Sequence, residues 1–199
     1  EQLHETLEHG QPTLMDNTGR YAVLVPMVEE TDGSLSLLYE VRAGTLRRQP
    51  GEVCFPGGRI EGDETPDQCA LRETWEELGI PESAVTVIGE MDFIHIRAGS
   101  LLRPVLGEVD PATLAAMRPA PEEVADTFLL PLRELKAHPP EVYLYRQPVE
   151  APDFPYADAG VPADYPWRPW RLEVPVYHGL PYHLWGITAR ITMDLLAHL

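Results

Sequence analysis

The chain reads as an α/β protein on three observations. Two apolar runs joined by a turn precede residue 42, a helix with both ends marked lies between residues 65 and 79, and further strand candidates follow it. A length of 199 residues suits one sizeable domain and is short for two, so a single domain over residues 1–199 is expected. An apolar share of 44% and a charged share of 24% are those of an ordinary soluble globular chain.

In chain order, residues 1–16 begin with a short helical pattern that Gly10-Gln11-Pro12 breaks. Tyr21 to Glu29 and Leu35 to Val41 are strand candidates, and Thr31-Asp32-Gly33-Ser34 between them makes the pair a hairpin. Arg42 to Gly51 is a basic loop in an otherwise acidic chain, and it leads into the apolar run Val53, Cys54, Phe55. Gly57 and Gly58 follow Pro56, which predicts that the strand ends there in a tight backbone turn, and Gly62 allows a second reversal.

The helix comes next. Thr65 is a good N-cap, Pro66 suits the first helical position, and Gln68 at the third closes a capping box. Gly79 supplies the residue past the end and Pro81 stops the helix. At about 100° per residue, Leu71, Thr74, Trp75 and Leu78 fall on one side, with Arg72, Glu73, Glu76 and Glu77 on the other. The three glutamates are related by i, i+3 and i+4, so their carboxylates are expected to converge on one patch and to repel by a few tenths of a kcal/mol per pair. A divalent cation reverses that sign, and oxygen-only donors suit a hard ion such as Mg²⁺ or Mn²⁺. On the helix alone, a solvated acidic face is an equal reading.

The full spacing is Gly58, five residues, Glu64, seven residues, Arg72-Glu73, Thr74, Trp75, Glu76-Glu77, Leu78, Gly79, Ile80. It resembles the Nudix box, G-x5-E-x7-R-E-U-x-E-E-x-G-U with U apolar, over residues 58–80. Only Thr74 departs, where an aliphatic residue is usual. The resemblance implies a Nudix α/β/α sandwich with a mixed central β-sheet. It also implies a hydrolase that cleaves a nucleoside diphosphate linked to another group with the help of Mg²⁺ or Mn²⁺. Carried over, Glu73, Glu76 and Glu77 are metal ligands, Glu64 is a supporting or additional ligand, and Arg72 orients the carboxylates. Glu76 is the first choice for a catalytic base, with Glu122 or Glu123 on a distal loop as alternatives.

The segment before the box, RAGTLRRQPGEVCFPGG, resembles the signature L-L-T-x-R-[SA]-x3-R-x3-G-x3-F-P-G-G of the coenzyme A pyrophosphatase subfamily. Arg42, Ala43, Arg47, Gly51, Phe55, Pro56, Gly57 and Gly58 hold its spacing, whereas Leu38, Tyr39 and Glu40 stand where Leu-Leu-Thr would be. The resemblance makes Arg42, Arg47, Gly57 and Gly58 substrate-binding candidates, and the forked donors of arginine suit phosphates. The substrate it implies is coenzyme A or a derivative, split into 3′,5′-ADP and 4′-phosphopantetheine. ADP-ribose, NADH or a nucleoside triphosphate is the alternative substrate, and a nucleotide-sensing Nudix module the non-enzymatic one. Surface pairing of Arg42 and Arg47 with Glu40 or Glu52 is the plain structural alternative.

Beyond the box, Val85 to Gly89, Met91 to Arg97 and Leu101 to Val109 read as strands, Pro111 to Met117 as a short helix, Val124 to Leu130 as a strand and Pro131 to Ala137 as helical. His95, inside one strand, reads as a core or rim histidine rather than a base. Residues 139–182 are rich in proline and aromatics, which predicts ordered loops. Their rings could stack an adenine, bury a pantetheine arm, pack over the core or make a homodimer contact. DYPWRPWRLEVPVYHG, followed by HLWGITARI, resembles the C-terminal part of bacterial coenzyme A pyrophosphatase-like Nudix proteins. Ile187 to Leu199 is a terminal amphipathic helix with Ile187, Ile191, Leu195 and Leu196 on its buried face.

Fifteen basic against 32 acidic residues leave a net charge of −17, which argues against a nucleic-acid partner. A small phosphorylated substrate remains compatible through cations and local arginines. Cys54 and Cys69 form neither a disulfide framework nor a zinc spacing, and they suggest a cytoplasmic protein. No apolar run approaches the roughly 20 residues of a membrane span, and the first residues show no signal-peptide pattern.

Overall fold

The computed structural model describes residues 19–96 and 99–199; the helix expected within residues 1–16 lies outside them. Two compact units make up the chain, Glu1–Leu132 and Arg133–Leu199.

The first unit is built on a mixed sheet. β1 (Arg20–Glu29) and β2 (Leu35–Arg42) form the expected antiparallel hairpin, with Met27 opposite Leu37. β3 (Val53–Cys54) extends the sheet beyond β2, and β4 (Gly57–Arg59) pairs antiparallel with β1. Gly57 and Gly58 therefore continue the sheet instead of leaving it in a tight turn, with Gly58 opposite Ala22 and Gly57 opposite Val23. Gly62 makes the reversal before the helix, at φ 49°.

α1 (Pro66–Leu78) has the predicted capping box at Thr65 and Gln68, and it ends on Gly79 in the left-handed conformation, φ 70°. It packs on β1 and β4 through Cys69, Ala70, Leu71, Thr74 and Leu78. Each large side chain so buried stabilises by about 1.5–3 kcal/mol. Trp75 is not part of that face: it is 55% exposed, and Glu77 takes a place in the interior. The helix therefore buries a stripe shifted toward Glu77, because that edge faces the backbone of β4.

Past the helix, β5 (Val85–Glu90) and the short β6 (Ile94–Ile96) pair antiparallel with β7 (Ser100–Val109). β7 runs parallel to β1 along nine residue pairs. α2 (Pro111–Leu114), capped by Asp110, is shorter than expected, and β8 (Val124–Pro131) returns to pair antiparallel with β2. The path β3-β2-β1-β7-β5, with β8 on β2, puts β1 and β2 at the centre, so the mixed central sheet expected of the fold is present. In β2 residues Ser36 to Glu40 are all buried, without alternation, because both faces are covered. Two core clusters result, one around Ala22, Leu24, Ala70 and Val105, the other around Val28, Leu38, Leu78, Ile80 and Val109.

α3 (Leu132–Ala137) follows β8. In the second unit β9 (Glu141–Gln147) and β10 (Trp170–Val176) form a two-stranded antiparallel sheet. The sequence predicts loops here, because the prolines between the strands obscure the pairing. The loop itself is ordered by Phe154, Tyr156, Tyr165 and Trp167, whose rings meet edge to face. α4 (Gly186–Ala197) buries Thr188, Ala189, Ile191, Thr192 and Leu195, whereas Ile187 is exposed and Leu196 half-buried. No helix among the described residues is long and apolar enough to cross a membrane.

Candidate active site

Arg72 is the hub of the helix's polar face. Its Nε donates to Glu64 Oε1 at 2.7 Å and its Nη2 to Glu64 Oε2 at 3.1 Å, a two-pronged pairing. Nη1 donates to Glu73 Oε1 at 3.0 Å and to Glu76 Oε2 at 3.1 Å, and Nη2 also reaches the Arg59 carbonyl at 3.2 Å. One guanidinium thus gathers three of the four predicted carboxylates. The Arg72 hydrogen bond, with help from the Glu61 N–H, holds the Glu64 carboxyl down at about 2. Burial moves Glu73 the other way, raising it against the opposing pull of Arg72.

Glu77 stands apart from this clamp. Its Oε2 accepts the Gly57 N–H at 2.8 Å and the residue is 4% exposed. Burial pushes its carboxyl up to about 9, and the charge of Glu40 pushes the same way. Glu40, in β2, is 1% exposed. Its Oε1 accepts the Cys54 thiol at 3.1 Å, while Oε2 has no hydrogen-bond partner. Burial raises Glu40 to about 7 against the lowering effect of that thiol. Among the described residues Glu40 and Glu77 are the only charged side chains that are buried.

The glycines make this approach feasible. A Cβ on Gly58 would lie 2.2 Å from Glu73 Oε1, and one on Gly57 would lie 2.3 Å from the Ala22 carbonyl oxygen. Side chains at these positions would drive β4 off β1 and off the helix.

A NUDIX domain family model matches residues 18–150. The chain belongs to the Nudix family. A mouse relative named peroxisomal coenzyme A diphosphatase NUDT7 is 36% identical over 132 residues, covering 66% of this chain and 54% of that protein. Nudix hydrolase 3 of Caenorhabditis elegans is 37% identical over 122 residues, 60% of this chain and 50% of its own. The mouse mitochondrial coenzyme A diphosphatase NUDT8 is 34% identical over 181 residues, 88% of this chain and 77% of that one. The chain spans about half the length of the first two.

In this Nudix chain the expected convergence of Glu73, Glu76 and Glu77 on one patch is divided. Glu76 is the open member, its side chain 54% exposed, Glu73 is half-buried and Glu77 lies inside. No three acidic, histidine or cysteine side chains among the described residues stand in a ligating arrangement. The donor set nonetheless fits a hard divalent cation. Glu77 and Glu40 make no ion pair among the described residues, and Glu40 Oε2 is a buried carboxylate oxygen left without a partner.

Arg42 lies at the end of β2, where Gly51 donates to its carbonyl and its own N–H donates to Glu52 O; its Nε is buried without a hydrogen-bond partner. Arg47 is exposed on the loop that returns into β3. Neither arginine forms the surface ion pair considered for it: Glu52 accepts from Gln49 and Glu40 from Cys54. Glu122 and Glu123 are both exposed, and of the two it is Glu123 whose charge bears on Glu40, Glu73 and Glu77. His95 is exposed on β6. A groove lined by Asp67, Leu71, Pro81, Ser83 and Val87 contains none of the box glutamates or signature arginines. Glu40 is the residue that sequence reasoning missed as part of the site. The available signal was a carboxylate set between Tyr39 and Val41, in a strand run that carries no other charge before Arg42.

Proposed function

We propose that the chain is a divalent-cation-dependent pyrophosphatase that hydrolyses coenzyme A or its derivatives to 3′,5′-ADP and 4′-phosphopantetheine. The observation that carries the reaction type is the carboxylate assembly against the Gly57-Gly58 strand, three of its members oriented by Arg72 and two buried without a cation. When bound, Mg²⁺ or Mn²⁺ supplies positive charge against the pyrophosphate and a more acidic water. Glu73 and Glu77, with Glu64 and Glu76, are the residues that would hold the ions. Glu76 is open to solvent at the rim and suits proton acceptance from the attacking water. Arg72 keeps the carboxylates from splaying apart in the absence of substrate.

The substrate rests on a second set of residues. Arg42 and Arg47 flank a loop that feeds into Gly57 and Gly58, and two relatives bear the name coenzyme A diphosphatase. The departure at Leu38-Tyr39-Glu40 favours keeping ADP-ribose, NADH and nucleoside triphosphates as competing substrates. A homodimer built on the aromatic second unit and a cytoplasmic location are proposals of the same kind, supported only by exposed rings and unpaired cysteines. Product analysis with coenzyme A, acetyl-coenzyme A, ADP-ribose, NADH and nucleoside triphosphates tests the reading. Preferential release of 3′,5′-ADP from the coenzyme A compounds supports it. Cleavage of the others alone discards the substrate, and cleavage of none discards the activity in favour of a nucleotide-sensing module.

A further inference from the structure

We propose that Glu40 is a further ligand for a divalent cation, a carboxylate that joins Glu77 in holding the ion although it lies outside the box helix. The inference rests on the cation-dependent reading above and deepens it. A strand position in the middle of a covered sheet is costly for a carboxylate, and a buried polar atom left unsatisfied costs more still when it is charged. Yet Glu40 is 1% exposed with Oε2 unpartnered.

The surrounding charges do not resolve it. Arg42 acts favourably on Glu40, but Glu73 and Glu123 oppose, and the Glu40 charge in turn bears on Glu77. Arg72 is committed to Glu64, Glu73 and Glu76, so it does not serve the inner pair. Two buried carboxylates with spare oxygens are what a hard cation selects. Cys54 offers no competing ligand, because its thiol donates to Glu40 and is held protonated by burial. The coenzyme A pyrophosphatase signature has threonine at this place, so the additional carboxylate belongs to this chain rather than to the pattern.

Binding of Mn²⁺ to the whole chain, followed by loss of the free-ion electron paramagnetic resonance signal, tests this with Glu40→Gln and Glu40→Asp. Glutamine keeps the size and an acceptor for Cys54 while removing the charge. The expected result is Mn²⁺ affinity lower by at least about tenfold in Glu40→Gln. Its melting temperature in EDTA should be unchanged or higher, and Glu40→Asp should recover part of the affinity. Wild-type affinity in Glu40→Gln overturns the inference and leaves the pyrophosphatase reading standing. No Mn²⁺ binding by the wild type overturns both. Should circular dichroism show Glu40→Gln to be unfolded, Glu40→Thr replaces it under the same expectations.

Discussion

The carboxylates of this site fall into two groups with opposite surroundings. Glu64, Glu73 and Glu76 share one guanidinium and sit at the rim, whereas Glu40 and Glu77 are buried and held by a thiol and a backbone N–H. The rim group carries its own cation and is assembled in advance. The inner group has none, so its arrangement makes physical sense only with protons or an added ion. An acidic protein can thus orient three carboxylates through one shared guanidinium, which offsets part of their charge, and leave two buried ones to protons or an added ion.

The largest effect expected is on turnover. Glu76→Gln should lower kcat by about 10²–10⁴-fold if this carboxylate accepts the proton, with the circular dichroism spectrum unchanged; a loss of only a few-fold would move that role to Glu123. Arg72→Ala should cost about 10–100-fold in activity. Arg72→Lys should not restore it, since an ammonium cannot engage Glu64 through two nitrogens while also reaching Glu73 and Glu76. Full rescue by lysine would mean that only charge is needed at the rim.

The two groups should also differ in pH dependence. Glu77, raised from 4.5 to about 9, and Glu40, raised from 4.5 to about 7, keep protons that the unfolded chain sheds. Their contribution is fully present below pH 4.5 and is lost as pH rises through those folded values. Glu64, lowered from 4.5 to about 2, contributes in the reverse sense: its share is present above pH 4.5 and disappears as pH falls toward 2. Thermal melts in EDTA should therefore weaken from pH 5 to pH 9, and saturating Mg²⁺ should flatten that decline. An equal slope with and without Mg²⁺ would sever the link between the inner pair and the ion.

Much of this was legible in the sequence, for reasons that differ by residue. The helix was readable because Thr65, Pro66, Gln68 and Gly79 act locally, within one turn of its ends. The hairpin of β1 and β2 was readable from its apolar runs and its turn. Burial of Glu77 was not, since it depends on Gly57, 20 residues away in sequence, entering the sheet opposite Val23. Glu40 was hidden for a different reason: full coverage of β2 abolishes the alternation that would have marked its inward position. The β9 and β10 pair was obscured by the prolines between the strands and by a face that stays exposed.

The smallest predicted effect concerns specificity. Arg47→Ala should weaken kcat/KM for coenzyme A by several-fold more than for ADP-ribose, as expected when an exposed charge contact of up to about 1 kcal/mol is made to one substrate only. Equal losses on both would remove Arg47 from substrate recognition.

The central claim is tested most directly by titrating Mg²⁺ into EDTA-stripped protein and following 3′,5′-ADP release from coenzyme A. The account predicts no release without the cation and a saturable rise on adding it. Release at an undiminished rate in EDTA would contradict it.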